Sequence, residues 1–133
     1  MDHPNLVTFE KKLKTVLDKL DDALEDRYGS LFKLHPVRAA RGQTSNKMYD
    51  GLFGVQANFS LGIGSQHGRG YIINIDLATL ENTPRELITE IESFAINRLR
   101  DLLNREFPAK DLSVAMDGQT IKIFGDLHLG RAY

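Results

Sequence analysis

Two stretches of the chain carry apolar residues at the three-and-four spacing of an amphipathic helix. The first runs from Leu6 to Tyr28 and stops at Gly29. The second starts at Thr83-Pro84-Arg85-Glu86, where threonine can cap, proline suits the first helical position and glutamate closes a capping box. It ends at Phe107-Pro108. The spacing therefore predicts helices over about 5–28 and about 84–107, each lying on a core.

Between and after these helices, apolar and polar residues alternate with the period of a half-buried strand. One alternating run spans 55–61 and another spans 71–77. A third and a fourth flank Asp117-Gly118, a dipeptide that suits a two-residue hairpin turn. With that turn, Val114 lies opposite Ile121 and Leu112 lies opposite Ile123.

The order of these elements predicts an α+β fold in a single domain over 1–133. We expect a two-layer sandwich in which two long helices cover one face of an antiparallel sheet of four to five strands. The uncertain fifth strand is a short edge strand over 31–34. The other face is predicted to be mostly polar, through Gln56, Asn58, Ser60, Asn74, Asp76, Ser113 and Lys122.

The composition agrees with one soluble globular domain. The 133 residues are 41% hydrophobic and 26% charged, which leaves no room for a second full domain. The absence of cysteine excludes thiol nucleophiles, disulfides and cysteine-ligated zinc. Because no apolar run is long enough to span a bilayer and no signal peptide precedes the first helix, we expect a cytoplasmic protein without membrane contact.

Charge is distributed unevenly, although the whole chain has a formal net charge of −1. The segment from Gly29 to Gly70 contains one acid, Asp50, and eight of the eleven glycines. Its five basic residues are Lys33, Arg38, Arg41, Lys47 and Arg69. This segment is where the sequence places the candidate function.

The first candidate is the glycine-rich stretch 62–70. It fits neither the Walker loop nor the dinucleotide fingerprint. Its backbone N–H groups, together with Ser65, His67 and Arg69, can bind a phosphate or carboxylate. The alternative is a hairpin tip whose glycines only supply turn geometry.

The second candidate is the polar connection over 35–50. Arg38 and Arg41 are three residues apart and can reach one anion from a helical turn, with Lys47 nearby. The alternative is a solvated loop whose arginines contact helix carboxylates such as Asp22 or Glu25.

Catalysis and metal binding receive less support. A pair such as His67 with Asp50 can exchange protons only if folding brings the two together. His35, His67 and His128 are far apart and lack ligand spacing, so we expect no metal site and no cofactor.

One segment carries a family resemblance. The layout of two strands and a long helix over 55–103, including INIDLATLENTPRELITEIESFAINRLRDLL, resembles the YbaB nucleoid-associated family. The resemblance implies a homodimer that binds DNA. The basic glycine-rich middle and the hairpin at Asp117-Gly118 have no counterpart in that family.

The leading hypothesis is therefore a non-catalytic binding module, dimeric, that recognises a phosphate-bearing or other anionic partner such as nucleic acid. The predicted ligand-binding residues are Arg38, Arg41, Lys47, Ser65, His67 and Arg69. Two rivals stay open. One is an enzyme acting on a small anionic substrate through arginine and His35 or His67, and the other is a component of an oligomeric assembly.

Overall fold

The structure, a computed structural model, describes residues 4–125, with side chains from Val7 onward. Its helices are α1 (Pro4–Tyr28) and α2 (Arg85–Glu106), with a short 3-10 helix at Lys47–Tyr49. Its strands are β1 (Phe53–Ser60), β2 (Gly70–Leu77), β3 (Leu112–Asp117) and β4 (Thr120–Gly125). The sheet has the order β1-β2-β4-β3 with antiparallel neighbours. The predicted α+β fold is thus confirmed, with four strands.

The core lies between the helices and one face of the sheet. Both helices meet this face, and α1 also packs against α2. Leu20, Leu24, Leu99, Phe53 and Ile123 are completely buried. Since the helical stripe and the alternating strand positions supply these side chains, the pattern of the sequence accounts for the two layers. No helix within residues 4–125 is both long and apolar enough to cross a membrane.

The opposite face of the sheet is polar but only partly open to solvent. Gln56, Asn58 and Asp76 are exposed as predicted, whereas Lys122 is only 1% exposed. The loop over 61–69 folds across this face and covers the lysine. Lys122 Nζ donates to the Gly68 carbonyl at 2.8 Å and to Ser65 Oγ at 3.1 Å.

The predicted register of the second hairpin was wrong by two residues. Val114 pairs with Ile123, and Ile121 pairs with Met116. The turn is formed by Gly118 and Gln119, with Asp117 paired to Thr120, because Gly118 takes the positive φ of 64°. The shift is an even number of residues, so the same side chains still face the core.

Two local predictions also need correction. Thr83 does not cap α2: the cap position is Pro84, whose carbonyl accepts the N–H groups of Leu87 and Ile88. Residues 31–34 form no strand. There the backbone of Lys33 bonds to side chains, with its carbonyl accepting from Thr79 Oγ1 at 2.7 Å and its N–H donating to Glu81.

The buried lysine offers a test of how the loop is held. We expect Lys122→Met to lower the free energy of unfolding by about 2 kcal/mol, because Gly68 and Ser65 lose a buried partner. Urea denaturation measures the change, and Lys19→Met at an exposed position on α1 is the control. Equal stability of the two variants would show that the lysine does not hold the loop.

Candidate functional site

Arg41 is the centre of the polar connection between α1 and β1. Its guanidinium meets three aspartates: Nη2 lies 2.5 Å from Asp22 Oδ1, and Nη1 lies 2.8 Å from Asp21 Oδ1 and 3.1 Å from Asp50 Oδ1. Lys47 Nζ adds a contact of 2.9 Å to Asp22 Oδ1. We call these five residues the Arg41 clasp, because they join α1 to residues 41–50.

Asp50 is held from several sides. Its Oδ2 accepts hydrogen bonds from Thr44 Oγ1 and from the N–H groups of Gly42 and Thr44, at 3.1–3.2 Å. Burial alone would raise the pKa of Asp50, but these hydrogen bonds and Arg41 outweigh it, so the pKa lies below its ordinary value. Asp50 is therefore a stable anion that the loop itself binds.

Asp21 is the member of the clasp that is buried with the least hydrogen bonding. It is 1% exposed, and neither carboxylate oxygen accepts a hydrogen bond from a described residue. Although Arg41 Nη1 is close, this nitrogen donates to Asp50 and to the Lys47 carbonyl instead. Burial raises the pKa of Asp21 to about 7, against the attraction of Arg41 and with help from Glu25.

Arg38 has a different set of partners. Its Nη2 donates to the carbonyls of Met48, Asp50 and Phe53 at 2.7–3.2 Å, and its Nε donates to the carbonyl of Gly51 at 3.0 Å. Four backbone carbonyls thus accept hydrogen bonds from this guanidinium. Arg38 fixes the path of the chain into β1.

The loop and α1 also meet at Gly51. A side chain at Gly51, whose φ is 71°, would overlap the carboxylate of Glu25. That carboxylate accepts the Phe53 N–H at 2.8 Å. Burial is the main reason why the pKa of Glu25 lies above its ordinary value. The absence of a side chain at Gly51 therefore lets the start of β1 bond to α1.

The glycine-rich loop binds a carboxylate of its own chain. Asp117 accepts the N–H groups of Gln66 at 3.1 Å and His67 at 3.0 Å, and its Oδ2 lies 3.0 Å from Lys122 Nζ. Burial acts to raise the pKa of Asp117, but these donors outweigh it and lower the pKa to about 2. The His67 ring stacks on Phe124 with centroids 4.3 Å apart.

The structure therefore divides the six predicted ligand-binding residues into two groups. Arg38, Arg41 and Lys47 come together beside α1, with internal partners as described. Ser65 and His67 lie in the loop that covers the other face of the sheet, and Ser65 Oγ donates to the carbonyl of Gly62 at 2.9 Å. Arg69 is exposed and forms no ion pair with another residue of the 4–125 range.

Sequence reasoning did not identify Asp21 or Asp117 as partners of these groups. For Asp21 a signal existed: it lies four residues after Leu17 and three before Leu24, so an acid falls on the buried stripe. For Asp117 no local signal existed, because its contacts to Gln66 and His67 cross about 50 residues of sequence. The contact of Arg41 with Asp22 matches the alternative interpretation of the loop.

The geometry gives little support for catalysis. His67 contacts Asp117, Met116 and Phe124, whereas Asp50 contacts Arg41, so the proposed His67–Asp50 pair has separate partners. No three histidine, aspartate or glutamate side chains among the described residues are arranged to hold a metal ion. His128 lies outside the described residues.

A second feature is the outer edge of β1. The Phe53 N–H and carbonyl point away from β2, toward Glu25 and Arg38, whereas the Leu52 carbonyl faces β2 and accepts the Ala78 N–H. Because backbone direction alternates along a strand, Val55, Ala57 and Phe59 also point their backbone groups outward. Within residues 4–125, no further segment bonds to these outward groups.

A cleft of about 360 Å³ lies beside this edge, between α1, Met48 and residues 55–57. Phe59 is 51% exposed, and Leu61 and Ile63 after it are 70% and 92% exposed. The opposite edge of the sheet differs, because Arg100 of α2 donates to the Val114 carbonyl of β3 at 2.9 Å. Charged side chains thus contact Val114 on the outer edge of β3 and Phe53 at the start of β1, whereas the outward groups of β1 from Val55 to Phe59 have no partner within residues 4–125.

Comparisons with known proteins agree on one family. A protein-family model described as "Uncharacterised protein" matches residues 4–125. An uncharacterised protein of Borreliella burgdorferi is 38% identical over 117 residues, which cover 88% of this chain and 91% of that protein. No solved structure matches the chain at a significant level.

Asp21 gives a prediction about pH. Its pKa in the folded chain, about 7, lies above the ordinary value of 3.8, so the folded state binds this proton more tightly than the unfolded state does. The stability it contributes is complete below about pH 4 and is lost as the pH rises through 7. Asp21→Asn removes this loss and leaves Arg41 with Asp22 and Asp50.

We therefore expect Asp21→Asn to gain about 1 kcal/mol over the native chain between pH 5.5 and pH 8. Urea denaturation at the two pH values measures the difference, and Asp26→Asn, at an exposed position of the same helix, is the control. A gain that does not depend on pH would contradict the assignment.

Proposed function

The chain belongs to the family described as an uncharacterised protein, and we propose that it is a non-catalytic assembly module. In this proposal it pairs with a second copy of itself along the outer edge of β1. The observation that carries the proposal is the difference between the two edges of the sheet. Natural proteins protect an edge strand with charge or with a covering group, as Arg100 covers β3.

Beyond Phe53, β1 has no charged residue that would protect its outer edge. From Gly51 to Gln66 there are sixteen residues without a single lysine, arginine, aspartate or glutamate. β1 also has no proline, and the residue before its last, Phe59, is exposed. A strand with these properties adds another strand readily.

A second copy is the partner that this strand fits best. If two β1 strands pair in antiparallel fashion about Ala57, Val55 lies opposite Phe59 and Gln56 lies opposite Asn58. The first pairing buries apolar side chains, and the second brings together side-chain amides that can bond to each other. The two sheets then form one sheet of eight strands, with Leu61 and Ile63 beside the new interface.

The internal partners of the cationic groups also favour assembly over anion binding. Arg41 forms an ion pair with Asp50, and Arg38 donates to backbone carbonyls. The backbone N–H groups of the glycine-rich loop donate to Asp117. A phosphate that binds at either place has to compete with a carboxylate of the same chain.

An anionic partner at the glycine-rich loop is the second candidate function. Arg69 favours it, because this guanidinium is exposed and forms no ion pair within residues 4–125. With so few free cations the affinity should be modest and should fall steeply with salt. Salt-dependent binding of a short DNA duplex by a chain that stays monomeric would support this candidate over assembly.

Charge at the open edge tests the assembly proposal. We expect the native chain to form dimers in analytical ultracentrifugation, and Phe59→Lys to weaken the dimer at least tenfold, or about 1.4 kcal/mol, because the strands would pair beside an unpaired charge. Ala57→Pro, which removes an outward N–H without breaking the pairing with β2, should act in the same direction.

Leu80→Lys is the matched control, because Leu80 is 75% exposed and lies outside the strands. It should leave the dimer unchanged. A native chain that remains monomeric up to about 1 mM would overturn the proposal. Equal effects of the two lysine variants would do the same.

A further inference from the structure

The residues that precede β1 cover the first part of its outer edge. Arg38 Nη2 donates a hydrogen bond to the Phe53 carbonyl, and the Phe53 N–H donates one to the Glu25 carboxylate. The 3-10 helix lies against the next residue: a side-chain carbon on Gly54 would come within 2.8 Å of the Met48 carbonyl. The open edge therefore starts only at Val55. Residues 36–50, which we call the covering segment, determine how long this edge is.

This covering segment is attached to α1 mainly by charge. Arg41 meets Asp21 and Asp22, and Lys47 meets Asp22, as described for the Arg41 clasp. A hydrogen bond from the Lys14 ammonium to Asn46 Oδ1, at 3.1 Å, adds to these contacts. The attachment should consequently depend on the charge state of the clasp.

Asp21 is the member of the clasp whose charge is least supported. It is almost completely buried, and its ion pair within residues 4–125 is with Arg41 Nη1, a nitrogen that it shares with Asp50. The charged groups around it are Arg41, Lys47 and Asp50 from the covering segment and Asp22 and Glu25 from α1. The neighbouring part of β1 has no charged residue. A single guanidinium is thus paired with three aspartates. Ionisation of Asp21 is therefore unfavourable, because its buried carboxylate loses hydration without gaining enough partners.

We propose that the Arg41 clasp is a pH-responsive cover of the β1 edge, in which loss of the Asp21 proton loosens residues 36–50 from α1. The loosened state lets water reach the Asp21 carboxylate. It also removes Arg38 from the outward Phe53 carbonyl and so lengthens the edge that is available to a second copy. The part that concerns assembly rests on the proposed function, whereas the loosening itself does not.

Amide hydrogen exchange tests the loosening directly. The reporters are Gly42 and Thr44, whose N–H groups bond to Asp50, and Gly51, whose N–H bonds to the Ala39 carbonyl. Between pH 5.5 and pH 8 we expect their protection factors, which correct for the intrinsic effect of pH, to fall about fivefold in the native chain. Asp21→Asn should show no such fall, and Asp26→Asn, at an exposed position of α1, should behave like the native chain.

Protection that is independent of pH, or that falls equally in Asp21→Asn, would overturn the inference. If that variant does not fold, the native chain still decides, because a constant protection factor contradicts the clasp by itself. Sedimentation at the same two pH values separates the two proposals. A pH-dependent clasp in a chain that is monomeric at both values would leave the loosening in place and remove the assembly function.

Discussion

The structure depends most on one guanidinium that three aspartates share. Arg41 connects Asp21 and Asp22 of α1 with Asp50, and through Asp50 it orders the loop before β1. A buried arrangement of this kind gains less from attraction than its short distances suggest, because each charge must first leave water. It does fix where the loop lies, and this position decides which part of the β1 edge is covered. The cleft beside α1 and the open strand from Val55 onward follow from that position.

The chemistry that the sequence indicated is present, but its ligand is internal. Backbone N–H groups of both loops do bind an anion, with Arg41 beside one and Lys122 of β4 beside the other, and in both cases the anion is an aspartate of the same chain. A carboxylate that is covalently connected to its donors competes well against a free phosphate, because its binding does not require a second molecule to be immobilised. A cluster of donors in a sequence therefore indicates an anion without indicating whether it comes from outside.

Periodicity was sufficient for the elements but not for the contacts between distant residues. The apolar stripes located both helices and the alternation located all four strands, since each pattern is local. The hairpin register was wrong because two adjacent turn positions were plausible and the choice depends on φ at Gly118. Arg41 lies 19 residues from Asp22, and His67 lies 50 residues from Asp117, so only the folded chain brings these pairs together. The open edge of β1 could not be predicted from the sequence either, because the order of the strands in the sheet decides which strand lies at the edge.

The coupling between Arg41 and Asp50 tests most directly whether the basic loop serves the fold of its own chain. The free energy of unfolding can be compared for the native chain, Arg41→Met, Asp50→Asn and the double variant. The account predicts a coupling of more than about 1.5 kcal/mol, because either single change removes the buried partner that the other charge contacts directly. Additive effects within about 0.5 kcal/mol would mean that the two groups act independently, and Arg41 would again be available for an external anion.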